Sequence, residues 1–236
     1  MHTAVDKDIV AESLKDVCRI TPDVVKEATH HLKPKKNDPE FNFTSDCLKI
    51  APYIFFERLC SIFRFFLIHG HVSEILTLST LVPLIKDKLG NLCSSDNYRS
   101  IAISSLILKI FDWVVILLWG DRLSLDDLQY GYQQNCSTNM CTWMAIETID
   151  HFMRNGSTVY SCLMDLKKAF DTVRHSTLFK KLMERRIPTI YIRLLMELYS
   201  KQNANVKRNG TFSNLFSIKW SEARPCSLSN IFLHLH

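Results

Sequence analysis

The sequence predicts an α+β fold rich in helix, and three observations carry that reading. Long stretches between residues 21 and 202 repeat apolar residues at helical spacing and begin or end on capping residues. Two β-prone runs, 79–86 and 98–103, flank a turn around Gly90 and Asn91. A further apolar strand at 159–164 and a hairpin about Asn209-Gly210 stand among the later helices.

Taken in order, Thr21-Pro22-Asp23 opens a short helix to residue 32, because Thr suits the N-cap and Pro the first helical position. Lys, Asn, Asp and Pro dominate 33–42, which reads as a linker. Ser45 then starts a long helix to about residue 69, where Gly70 can end it. After the two-stranded ribbon come helices at 104–119 and 138–154. Asn155-Gly156-Ser157 is a turn into the strand 159–164, and helices follow at 175–186 and 188–202. Residues 205–219 close as the hairpin. No internal repeat or low-complexity tract interrupts this order.

At 236 residues and 47% hydrophobic the chain can bury a real core, and 22% charged residues with few Gly and Pro argue against disorder. A net charge of +5 helps a phosphate-bearing partner without identifying one. The basic clusters are 33–36, Lys180-Lys181 with Arg185-Arg186, and Lys201 through Lys207-Arg208. Each alone is also an ordinary solvated face. Eight cysteines lack any Cys-x-x-Cys spacing, so reduced thiols and no structural zinc are expected. Charges within the first fifteen residues argue against a secretory signal, and an intracellular place, nuclear or cytoplasmic, is the default. The apolar stretches 50–68 and 101–119 contain Glu57, Arg58, Arg64, Lys109 and Asp112, so neither is expected to span a membrane.

The most informative segment is Asp165-Leu166-Lys167-Lys168-Ala169-Phe170-Asp171 at the end of the strand 159–164. A carboxylate there can hold a divalent ion; taken alone, it can equally cap the next helix. Upstream stand Leu81-Val82-Pro83-Leu84-Ile85-Lys86, Asn97-Tyr98-Arg99-Ser100-Ile101 and Gln129-Tyr130-Gly131-Tyr132. Downstream come His175, Leu178, Ile187-Pro188 and Asn209-Gly210-Thr211-Phe212-Ser213. In this order and spacing the blocks resemble the reverse transcriptase domain of non-LTR, LINE-type retrotransposons across about residues 20–219.

The resemblance implies the fingers and first half of the palm of a right-hand polymerase: an N-terminal extension over 1–42, a fingers-like region over 43–157 and a partial palm over 158–219. It implies an RNA-directed DNA polymerase that adds deoxynucleoside triphosphates to a primer 3′-hydroxyl on an RNA template with Mg²⁺. Asp165 would be a metal ligand, with the backbone carbonyl of Leu166 beside it. Phe170 would lie under the incoming sugar and disfavour a 2′-hydroxyl, and Asp171 would be a capping or supporting residue. Arg99 would bind the triphosphate with its planar fork; Lys86 is a second phosphate candidate, for which Lys88 competes.

Two departures bear on activity. The family's second carboxylate strand, an aromatic-Ala-Asp-Asp hairpin, does not occur after Asp171, and Asp126-Asp127 upstream reads as a solvated turn. Two-metal chemistry needs carboxylates from two strands to hold ions about 3.5–4 Å apart. Where the family shows Gly-Val-Arg-Gln-Gly and Leu-Ser-Pro, this chain has Trp220 through Phe232. Codons for that run can be chosen so that the same bases, read one base later, give Gly-Val-Arg-Gln-Gly-x-Ala-Leu-Ser-Pro-Ile-Phe. Residues 220–236 are therefore expected to be an out-of-frame tail. The alternative to a polymerase fragment is then an inactive remnant that at most binds nucleic acid.

Overall fold

Pro52 divides in two the long helix expected from Ser45 onward. Proline has no N–H to donate and its ring clashes with the preceding turn, and the residue before it is pushed out of the helical region. The computed structural model, which describes residues 14–41, 43–123, 128–131, 135–165 and 174–217, accordingly has α2 at Ser45–Lys49 and α3 at Tyr53–His69, with Pro52 extended between them at φ −65° and ψ 155°. Ahead of them is α1, Pro22–His30, whose N-cap Thr21 hydroxyl accepts from the Val24 N–H. Gly70, at φ 63°, ends α3 as the composition suggested.

A single turn, α4 (Glu74–Thr77), leads into β1 (Leu78–Ile85), a loop with a 3₁₀ turn at Ser95–Asn97, and β2 (Tyr98–Ser104). The helix α5 (Leu106–Trp119) follows, its Ser105 N-cap hydroxyl accepting from the Ile107 N–H. Then come α6 (Thr138–Arg154), α7 (His175–Glu184), α8 (Thr189–Ser200), β3 (Asn203–Arg208), β4 (Thr211–Phe212) and β5 (Phe216–Ser217). The sheet order is β2-β1-β3-β4, with β5 also on β3. β1 and β2 are antiparallel, whereas β1 and β3 run parallel from Leu78–Asn203 to Leu81–Val206.

Apolar faces of α1, α3, α5 and α8 meet in one core. The Phe63 ring lies 5.1 Å from Phe111, which lies 6.0 Å from Tyr191, which stacks on Trp119 at 5.8 Å. Burying each such ring stabilises the fold by roughly 1.5–3 kcal/mol. Among the polar groups caught inside are Asp112 and Tyr191. Asp112 is fully buried with neither carboxylate oxygen hydrogen-bonded among the described residues, and the Tyr191 hydroxyl is likewise unpartnered. Burial raises the Asp112 carboxyl well above its ordinary value, against a weaker downward pull from Lys109.

The stretch 33–42, read from its composition as a linker, is held against the body by Asp38. One of its carboxylate oxygens accepts from the Leu106 N–H at 2.7 Å and the Ser105 hydroxyl at 3.1 Å. The other accepts from the N–H groups of Glu40 and Phe41, both at 3.0 Å. A carboxylate at the N-terminus of α5 meets two donors that the helix itself cannot satisfy.

The strand expected at 159–164 does not form. Residues 157–165 carry no regular structure, and Tyr160, Leu163 and Met164 are almost fully exposed. The positions with a strand on either side are already filled, β1 by β2 and β3, and β3 by β1 and the β4–β5 strands. The helix that leads into the segment, α6, buries none of its residues. Among the described residues nothing therefore presses this apolar run against the sheet. Leu166, Phe170, Asp171, Asp126-Asp127 and the 220–236 tail, for which the sequence raised expectations, lie outside the described residues.

Candidate nucleotide and nucleic-acid interface

The ribbon β1–β2 presents the two phosphate-binding candidates at one end. The register pairs Leu84 with Arg99 and Ile85 with Tyr98, and the ladder continues as the Lys86 N–H donates to the Asn97 carbonyl at 2.8 Å. Opposed residues share a face and alternate positions return to it. Lys86 and Arg99 therefore lie on the same face, two ladder positions apart. Both are exposed. Pro83 sits within β1 opposite Ser100 without breaking the sheet, because the β3 ladder has already ended at Leu81.

The loop between the strands is held by the Asn of the Asn-Tyr-Arg block. The Asn97 side chain donates to the Asp87 carbonyl at 2.8 Å and accepts from the Asp87 N–H at 2.9 Å. The Tyr98 hydroxyl donates to the Leu92 carbonyl at 2.8 Å. Lys86 turns its ammonium back to the Asp96 carbonyl at 2.7 Å, so part of its donor capacity serves the loop. Arg99 has no hydrogen bond or ion pair among the described residues and keeps its whole fork for a ligand. Of the two, Arg99 is the better candidate for holding an anion.

From the other side of the sheet Arg208 reaches Tyr98, its guanidinium 5.6 Å from the ring centroid and one nitrogen 3.5 Å from the hydroxyl. In the sequence Arg208 stands only as part of a basic cluster. The signal for the contact was the parallel pairing of β1 with β3, which no local pattern announces. Asp38 was missed for the same reason, its partners lying beyond any local window.

Asp165 is exposed at the end of the 157–165 segment and has no hydrogen bond or ion pair among the described residues. It is not brought into the sheet that carries Lys86 and Arg99. Among the described residues no three His, Cys, Asp or Glu side chains gather as a metal site requires. Those residues thus do not fit a complete two-ion centre, and Asp165 supplies a single hard oxygen donor. Among the described residues, too, no helix is long and apolar enough to cross a membrane.

A shallow depression lined by Asp23, Lys26, Glu27, His30 and His31 lies along α1. It offers one helix face of mixed charge, with His31 stacked on Trp113 at 4.5 Å, and holds none of the residues above.

Comparison with known proteins bears on the whole arrangement. Residues 85–218 match the family described as reverse transcriptase (RNA-dependent DNA polymerase). The chain is also 22% identical over 226 residues to the RNA-directed DNA polymerase from mobile element jockey of Drosophila funebris. That alignment takes in 91% of this chain and 24% of the fly protein, so the chain spans about a quarter of its relative's length.

Proposed function

The chain belongs to the reverse transcriptase family, and from that premise we propose that it is part of an RNA-directed DNA polymerase of a LINE-type retrotransposon. Its β1–β2 ribbon would engage the triphosphate of an incoming deoxynucleotide. The observation that carries this reading is the Arg99 guanidinium, exposed and unengaged at the ribbon end that also bears Lys86. A planar fork there can take two phosphate oxygens at once, while the ammonium of Lys86 adds a point charge.

Reverse transcriptases in general act on a nucleic-acid template and primer with nucleoside triphosphates, and use a divalent metal. We assign residues 43–157 to the fingers side and 158–219 to the palm side, and offer Asp165 with the Leu166 carbonyl as this chain's ligands to the metal, Mg²⁺ by expectation. The metal, when bound, supplies charge neutralisation of the phosphates. Phe170 is assigned to the sugar of the incoming nucleotide. The order of the motifs supports these assignments.

The test is the affinity of the chain for a deoxynucleoside triphosphate, measured by calorimetry. Losing a charged hydrogen-bonding group costs about 1.5–3 kcal/mol, so Arg99→Ala is expected to weaken binding roughly ten- to a hundredfold. Its melting temperature should stay unchanged, since Arg99 has no partner within the described fold. Unaltered affinity with a lowered melting temperature would show that Arg99 serves the structure instead.

A further inference from the structure

The 17-residue helix α3 is apolar on two sides. Its inner side, with Phe56, Leu59, Phe63 and Phe66, is buried in the core. Its outer side carries Ile54, Ile62, Phe65 and Ile68, which are 44–52% exposed. A helix that is apolar all round is one that is covered all round, and among the described residues nothing covers this outer side.

The spacing gives that side a definite form. Ile54, Ser61 and Ile68 recur every seven residues and so lie in one line along the helix, with Phe65 beside it. Ser61 is the small residue at the middle of the line. Its hydroxyl donates to the Glu57 carbonyl at 3.0 Å, so it can enter a dry contact without an unmet donor. The charges are sorted to the flanks: at about 100° per residue, Glu57 and Arg64 fall on one flank, and Arg58 falls with Phe65 on the other. Arg64 is held at the rim by its Nε, which donates to the Ile20 carbonyl at 2.9 Å. Glu57 and Arg58 are exposed, and neither is in an ion pair among the described residues.

We infer that the outer side of α3 pairs with the same side of a second copy of the chain, antiparallel about a two-fold axis at Ser61. That side is complementary to itself in this register. Ile54 lies against the second copy's Ile68, and the two Ser61 residues meet where the helices approach closest. A two-fold axis perpendicular to both helices turns each flank toward its own counterpart. Glu57 then meets the second copy's Arg64, and Arg58 meets the second copy's Phe65 ring, each offset by one residue, about 1.5 Å along the helix. Every such contact is made twice. A parallel pair would leave Glu57 beside Arg58 and align the two helix dipoles unfavourably. The seam runs about 25 Å along each helix and covers on the order of 1,000 Å² in all. That is the lower edge of specific interfaces, so the pairing is reversible and micromolar. The β1–β2 ribbon takes no part in it, and the inference does not rest on the triphosphate reading.

The experiment is sedimentation equilibrium of the full chain between about 1 and about 100 µM. The parent is expected to show a monomer–dimer equilibrium. Glu57→Lys alone, or Arg64→Glu alone, turns two attractions into two repulsions and should raise the dissociation constant roughly ten- to a hundredfold. An equal mixture of those two variants reforms both ion pairs and should dimerise within about threefold of the parent. Ile68→Glu, which puts a charge on each side of the seam, should abolish the dimer. Circular dichroism checks each fold. Should loss of the Ile20 contact unfold Arg64→Glu, the exposed Ile54→Glu decides beside Ile68→Glu, and both must be monomeric. A parent that stays monomeric throughout overturns the inference and leaves the outer side of α3 to another partner. A dimer that persists in Ile68→Glu or Glu57→Lys overturns it by placing the contact elsewhere. A mixture no tighter than its separate variants overturns the antiparallel pairing.

Discussion

Asp38→Ala should be among the most damaging single substitutions outside the aromatic core. Asp38 is 4% exposed and holds four donors. Two of them, the Leu106 N–H and the Ser105 hydroxyl, are buried at the start of α5, and truncation leaves them without an acceptor. An orphaned buried donor costs about 1–3 kcal/mol. The amide takes the larger share, because the hydroxyl can rotate. The Glu40 and Phe41 amides, nearer the surface, recover water and add only about 0.5 kcal/mol each. The total is about 3–4 kcal/mol. A domain of this size loses roughly 2–4 °C of melting temperature per kcal/mol, so a fall of about 6–16 °C is expected in a thermal melt followed by circular dichroism. Asp38→Asn retains one acceptor but turns an NH₂ toward two donors, and should fall about halfway. Amide exchange at Leu106 should quicken in both. A change within about 2 °C for Asp38→Ala, or unaltered Leu106 exchange, would refute the capping role and return 33–42 to the status of a linker.

Asp112 gives a prediction in pH. Its folded carboxyl is raised above the ordinary 3.8 by burial, so between 3.8 and its elevated value the native state holds a proton that the unfolded chain has released. Stability contributed there is fully present below 3.8 and declines as pH rises through the elevated value. Asp112→Asn should remove that decline in urea titrations at a series of pH values, and an identical slope in the variant would refute the assignment. Gly70→Ala places a methyl 2.7 Å from Arg193 Nε at φ +63° and displaces the guanidinium that bonds the Leu67 and Ile68 carbonyls at the end of α3. Strain of about 1–2 kcal/mol plus weakened caps should cost about 2–4 kcal/mol in denaturant unfolding, falling to the strain alone once Arg193 is already Ala. Amides of α6, which buries none of its residues, should exchange far faster than those of α3 and α5, and equal protection would show that α6 is covered in solution.

What was legible in the sequence was local. The Asn209-Gly210 hairpin has both turn residues at positive φ, 50° and 79°, as an Asn-Gly turn requires. Ser137, Thr21 and Ser105 cap their helices as their residue types suggest. The ribbon register, and with it the shared face of Lys86 and Arg99, follows from two runs and one turn. The break at Pro52 was equally visible, and the apolar periodicity on both sides of it masked the proline. The parallel β1–β3 pair was not legible, since it joins residues about 125 positions apart with no turn to announce it. Neither was Asp38, whose role depends on Leu106 being near, nor the Arg208–Tyr98 contact.

The failure at 159–164 has a different cause. Helices α3 and α5 can form where they do because each contributes a face to a core the other completes, whereas a strand has no internal hydrogen bonds and exists only when a neighbour accepts its edge. The run Val159 to Met164 carries strand composition, yet its flanking helix is unpacked and the inner sheet positions are occupied. Composition says what a segment would do beside a partner; it does not supply the partner. The two halves of the candidate site therefore differ in kind. Arg99 and Lys86 are placed by the body through β1, which is anchored on both sides, and by the Asp38 cap at the end of β2. Asp165 is placed by nothing among the described residues. The paired exposure of Lys86 and Arg99 at the ribbon is thus built into this fold, while delivery of the Asp165 carboxylate to it demands a contact that residues 157–165 do not make with that fold.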